Sequence, residues 1–181
     1  NEELMKVLKL TQEFLRNVDS VKDTDFPDFV LKLQKCFNEL MDVDKHYKRK
    51  EYLLFPYLEK NEVTGPPKVM WGKHDEIREQ LNGCIELLGN KSLTKGDLND
   101  ALDLLFNPVL MSMSDMTTKE KDILFPMAMD LLTEEEWWAI HKQTLEFGFT
   151  LYDPQVEWKP SAEIENSFSG EGVLNETGAL Q

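Results

Sequence analysis

The chain is poor in the side chains that most readily announce a function. Its 181 residues include three histidines, two cysteines and only 20 Lys plus Arg against 34 Asp plus Glu. A formal charge of −14 argues against nucleic-acid backbones and anionic lipid surfaces, since both reward basic side chains. Small ligands, cations and other proteins are left as partners. Cys36 and Cys84 are isolated in the sequence, which predicts a reducing, cytoplasmic setting rather than a disulfide scaffold. No window of eighteen apolar residues is present, so no helical membrane span is expected. A secretory leader pattern is also missing. Asn1 stands where a methionine would, so the chain reads as a fragment and upstream sequence stays open. P-loop, G-x-G-x-x-G and Ser-His-Asp signatures are absent, and the chain is expected not to be an enzyme.

What is present is bulk. Ten Phe, eight Met and four Trp within a 41% hydrophobic composition are enough for one packed domain. Leu4, Leu8, Leu15 and Val18 recur at helical spacing and predict a first helix over 2–18. Pro27 suits the first turn of a second, running to about Lys60. T-G-P-P (Thr64–Pro67) breaks the chain, and Pro67 opens a third helix to about Leu88. A fourth is predicted from about Leu98 to Leu132, capped by Asp97 and kinked or broken at Asn107-Pro108. Thr133 and Glu136 form a capping box for a short fifth helix ending near Gly148. The stretch after it reads as extended, with Tyr152 and Trp158 packing back. These elements predict an all-α antiparallel four-helix bundle with a short fifth helix and an extended C-terminal segment. Residues 1–160 form the bundle; 161–181, rich in Ser, Gly, Glu and Asn, read as a linker toward a downstream domain.

One arrangement occurs twice. K-H-Y-K-R-K-E-Y-L-L-F-P (Lys45–Pro56) and K-E-K-D-I-L-F-P (Lys119–Pro126) each set a glutamate in charged surroundings ahead of an apolar L-F-P. At about 100° per residue, Glu51 and Asp44 fall inside the stripe of Leu33, Phe37, Leu40, Tyr47, Leu54 and Leu58. Glu120 shares a column with Phe106, Met113 and Met127. His74 lies on the inward face with Met70 and Ile77. Three helices thus each aim one metal-capable group at the interior, where an uncompensated carboxylate costs several kcal/mol. A bound cation would compensate it, and Glu and His from facing helices are the donor types of di-iron centres. A basic partner would also compensate it: Lys48, Arg49, Lys50, Lys119 and Lys121 are near. His46 precedes Glu51 by five residues, about 140° around a regular helix, so both reach one point only if a π-bulge intervenes. His141, beside Trp137, is expected to be packed or exposed.

The stretches H-Y-K-R-K-E-Y-L-L-F-P-Y-L-E-K, T-G-P-P-K-V-M-W-G-K-H-D-E-I-R, K-E-K-D-I-L-F-P-M and L-T-E-E-E-W-W resemble the hemerythrin-like (HHE cation-binding) domains. The resemblance is strongest to a prokaryotic subfamily that places this domain between a small N-terminal domain of unknown function and a C-terminal PAS domain. It implies a bundle with a non-haem iron site and transfers metal-ligand status to His46, Glu51, His74 and Glu120. The chain also departs from the family pattern. The acid four after the first histidine is replaced by Lys50, the second helix-three histidine by Arg78, and the helix-four histidine by Met116. The implied function is a non-enzymatic sensory or regulatory module that binds iron or another divalent metal at a reduced Glu/His site. It would respond to a small ligand such as oxygen and couple to an intramolecular PAS domain. The alternative is a metal-free bundle acting as an interaction or signal-relay module. The oligomeric state is open between monomer and homodimer.

Overall fold

A computed structural model of the chain describes residues 2–151 and 158–161. The predicted linker beyond Ser161 and the packing of Tyr152 lie outside them. Helix α1 (Glu2–Arg16) buries Leu4, Leu8, Thr11 and Leu15 on one side. It stops two residues short of the predicted end, and Val18–Ser20 tighten into a 3-10 turn that buries Val18. The second rod comprises α2 (Phe26–Met41), α3 (Val43–Arg49), a π turn (Lys50–Leu54) and α4 (Phe55–Lys60). Helix α5 (Gly65–Leu88) is the third rod. The fourth comprises α6 (Lys95–Ala101), a π turn (Leu102–Phe106), α7 (Asn107–Lys119), a second π turn (Glu120–Leu124) and α8 (Phe125–Leu131). Helix α9 (Glu134–Phe147) follows.

The rods close a ring: α1 packs on α2, α2 on α5, α5 on α7, and α7 back on α1. Their apolar stripes meet in one continuous core, giving the predicted all-helical bundle. The expected Asp97 cap is corrected. Thr94 is the N-cap of α6, and Asp97 is its reciprocal partner three residues on. Thr133 and Glu136 do form their capping box. Gly148 ends α9 at φ 73, a conformation in which a Cβ would be strained. Beyond it, the Trp158 ring meets Trp138 edge-on at 5.7 Å, as expected for a segment packing back.

The three π turns share one local cause. Each ends two residues before a proline: Pro56, Pro108 and Pro126. A proline inside an α-helix has no N–H to donate, and its ring collides with the carbonyl four residues back. The helix answers by widening. In each case the residue just before the proline donates its N–H five residues back: Phe55 to Lys50, Asn107 to Leu102, and Phe125 to Glu120. The expected kink at Asn107-Pro108 is such a widening, and the rod continues through it.

Candidate functional site

The widened turn of the second rod decides which side chains face inward. In a regular helix two adjacent residues point about 100° apart. Here the extra residue lets both Lys50 and Glu51 be buried, each 3% exposed, together with Leu53 and Leu54. Directly across, the π turn of the fourth rod begins with Glu120, 1% exposed, and α5 contributes His74, 0% exposed. His46 and Glu51, five residues apart, reach the same network with the required irregularity between them. They sit at different points along it.

The ammonium of Lys50 is at the middle. It donates to His74 Nε2 at 2.9 Å and forms an ion pair with Glu120, while lying 4.6 Å above the Tyr47 ring. With Nε2 accepting, His74 carries its proton on Nδ1 and donates it to Glu51 Oε1 at 2.7 Å. Arg78 grips the same carboxylate with both terminal nitrogens, at 3.0 and 2.8 Å, and donates through Nε to Asp44 at 2.6 Å. On the other side, His46 Nε2 donates to Glu120 Oε2 at 2.7 Å. Tyr47 stacks on the His74 ring at 4.1 Å between centroids and fixes its plane. The interior charges balance, with carboxylates Glu51 and Glu120 against cations Lys50 and Arg78.

The electrostatics follow from burial and pairing. Burial pushes the Glu120 carboxyl upward, yet the His46 hydrogen bond and the charge of Lys50 hold it far below the usual carboxylate range. Glu51 is lowered in the same way, its burial outweighed by hydrogen bonds from His74 and Arg78. Desolvation lowers Lys50, against the pull of Glu120. Desolvation also lowers His74, to about 4, with the Lys50 charge acting in the same direction and the Glu51 hydrogen bond opposing. His74 is therefore neutral at physiological pH, consistent with one ring nitrogen donating and the other accepting.

All four sequence-predicted ligands, His46, Glu51, His74 and Glu120, are gathered in this network. Their donor atoms, however, are directed at neighbours within the protein. The His74 Nε2 lone pair, which a metal would take, receives the Lys50 proton. Both Glu51 oxygens receive Arg78, and the two Glu120 oxygens receive Lys50 and His46. Among the described residues, no group of three or more His, Cys, Asp or Glu is disposed to hold a metal ion. The donor set does not fit a di-iron centre in this arrangement. From the sequence, Lys50 stands as a nearby base and a departure from the family pattern, and Arg78 as a departure alone. A signal for both was available: Lys50 lies three after Tyr47 and four before Leu54, and Arg78 four after His74 and three before Leu81. Both spacings are inward ones. Asp44, half-buried, serves Arg78 and, through its other oxygen, Lys48 at 2.6 Å. His141 stacks on Trp138 at 5.3 Å, away from this network.

Residues 1–128 match the model of the Hemerythrin HHE cation binding domain. The chain belongs to that family. The match spans all four rods as far as Ala128 in α8 and stops short of α9. Within this HHE domain, two of the three departures noted from the sequence, Lys50 and Arg78, belong to the buried network. The family is described by cation binding; in this chain two basic side chains, Lys50 and Arg78, lie among the candidate ligands. No curated protein matches the chain in sequence. No helix among the described residues is long and apolar enough to cross a membrane.

Proposed function

We propose that this HHE domain is a non-enzymatic regulatory module whose centre is neutralised by Lys50 and Arg78 in place of iron, and that it relays a change in that centre to a neighbouring domain such as a PAS domain. The observation that carries this reading is the placement of Lys50 Nζ between His74 Nε2 and Glu120. A route outward supports the relay. Helix α9 packs against α3 and against the π turn that holds Lys50 and Glu51. The chain after α9 is tied back to Asp42, through the Leu151 N–H at 2.9 Å and the Thr150 hydroxyl at 3.2 Å. A shift in the widened turn therefore bears on the segment that leads out of the bundle.

Elemental analysis of protein purified without EDTA tests the reading. The expected result is transition metal far below stoichiometric, with a melting temperature unmoved by added Fe²⁺ or Mn²⁺. Stoichiometric iron would overturn it in favour of the second reading, a reduced metal site formed by His46, Glu51, His74 and Glu120 once Lys50 swings away. That reading keeps support from the gathering of those four side chains in one buried network, and it would make oxygen or another small oxidant the natural effector. For the relay itself, hydrogen exchange in α9 should change when Lys50 is replaced by Met. Unchanged protection there would break the link between centre and output.

A further inference from the structure

A second site lies at the far side of α9, outside the charge network and beyond the function proposed above. Between the end of α8 and α9 is an open-sided pocket of about 600 Å³, within the size range of small-molecule sites. Met129, Leu132 and Ile140 give it an apolar floor, and the rings of Trp137, His141 and Trp158 line it as well. Two of these rings, His141 and Trp158, are held in place by each other and by Trp138 behind them. His141 stacks on Trp138 at 5.3 Å and meets Trp158 edge-on at 5.7 Å, while Trp138 and Trp158 are themselves 5.7 Å apart. Among the described residues, the carboxylate lining the pocket is that of Glu134, oriented by the Ser161 N–H at 2.8 Å.

Aromatic faces attract cations through their quadrupole, most strongly when water is partly excluded. This cluster already does so, since the Lys142 ammonium lies 5.6 Å from the Trp138 ring centre. A fixed negative charge at the wall and a chain charge of −14 add attraction for positive ligands and repel anionic ones. We propose that this pocket binds a small organic cation with an apolar body, of the aryl- or alkyl-ammonium class. The ammonium would lie against the aromatic wall and Glu134, and the apolar body over Met129, Leu132 and Ile140.

Phenyltrimethylammonium and its neutral isostere tert-butylbenzene provide the test, titrated into the full chain and followed by tryptophan emission and calorimetry. The cation should saturate one site with about tenfold higher affinity than the isostere. Glu134→Gln keeps an acceptor for Ser161 but removes the charge, and should weaken the cation about fivefold while leaving the isostere unchanged. Trp158→Ala, at a position 43% exposed, should weaken it further without unfolding the bundle. Equal affinity for the two probes would reduce the pocket to an apolar surface and overturn the proposal. So would the absence of saturation, or cation binding indifferent to both substitutions.

Discussion

Two of the three π turns carry buried charge and the third carries none. Lys50–Leu54 buries Lys50 and Glu51, and Glu120–Leu124 buries Glu120. Leu102–Phe106 buries only Phe106 and leaves Leu104 83% exposed. All three end two residues ahead of a proline and close the same five-residue-back hydrogen bond. The widening is therefore a backbone answer to proline, and it arises whether or not there is anything to position. What the two charged turns add is register: each sets an ionisable group at the same depth on facing rods, where the two can meet.

Removing the central cation should separate the charged turns from the uncharged one most strongly. Lys50→Met strands Glu120 in the core, and a loss of about 3–5 kcal/mol in denaturant unfolding is expected. The double variant Lys50→Met with Glu120→Leu should recover most of that loss, because an apolar pair carries no desolvation penalty. A double variant as unstable as the single would mean that the pair is not the source of the cost.

Acid should act next. Burial lowers His74 from 6.5 to about 4, so between those values the unfolded chain holds a proton that the folded chain does not. The corresponding stability is complete above about pH 6.5 and is lost as pH falls through that window, roughly 3 kcal/mol in all. Glu51 and Glu120, lowered by their partners, extend the loss below the ordinary carboxylate range. Corrected for intrinsic rates, amide protection at Lys50–Leu54 and Glu120–Leu124 should fall with acid before that at Leu102–Phe106. Simultaneous opening of all three would show that the network has no local effect.

Arg78→Lys keeps the charge but gives up the two-pronged grip on Glu51, and about 1–2 kcal/mol is expected by thermal unfolding. The smallest effects should come from the prolines. Pro56→Ala, Pro126→Ala and Pro108→Ala are each expected within about 1 kcal/mol of the parent. The first two should shift the imidazole NMR signals of His46 and His74, whereas Pro108→Ala should leave them in place. Shifts from all three would mean that the turns are coupled through the whole rod.

Much of the fold was legible because apolar spacing is a local signal. Leu33, Phe37, Leu40, Tyr47, Leu54 and Leu58 form one inward stripe by count, and all six are buried. Glu51, His74 and Glu120 were legible for the same reason: each occupies a place in a column that apolar residues otherwise fill. The role of Lys50 was harder to see, because its neighbours Lys48 and Arg49 make the run look like a solvated face. In the structure it turns inside with Tyr47 and Leu54 while Lys48 stays out on Asp44. Asp97 was misplaced by three residues because an acidic side chain serves equally at the cap or as its reciprocal partner. Which residue starts the helix is fixed by the extended backbone of Thr94, at ψ 163. Pairing between distant rods, such as Arg78 with Glu51, depends on tertiary distance and leaves no mark on either segment alone.

The ammonium of Lys50 is a counter-ion that the ribosome supplies with the chain. It is covalently part of the chain, so it arrives in a fixed one-to-one ratio with the Glu120 carboxylate it pairs with. On the reading proposed above, the domain would be complete at the moment of synthesis whatever the supply of iron.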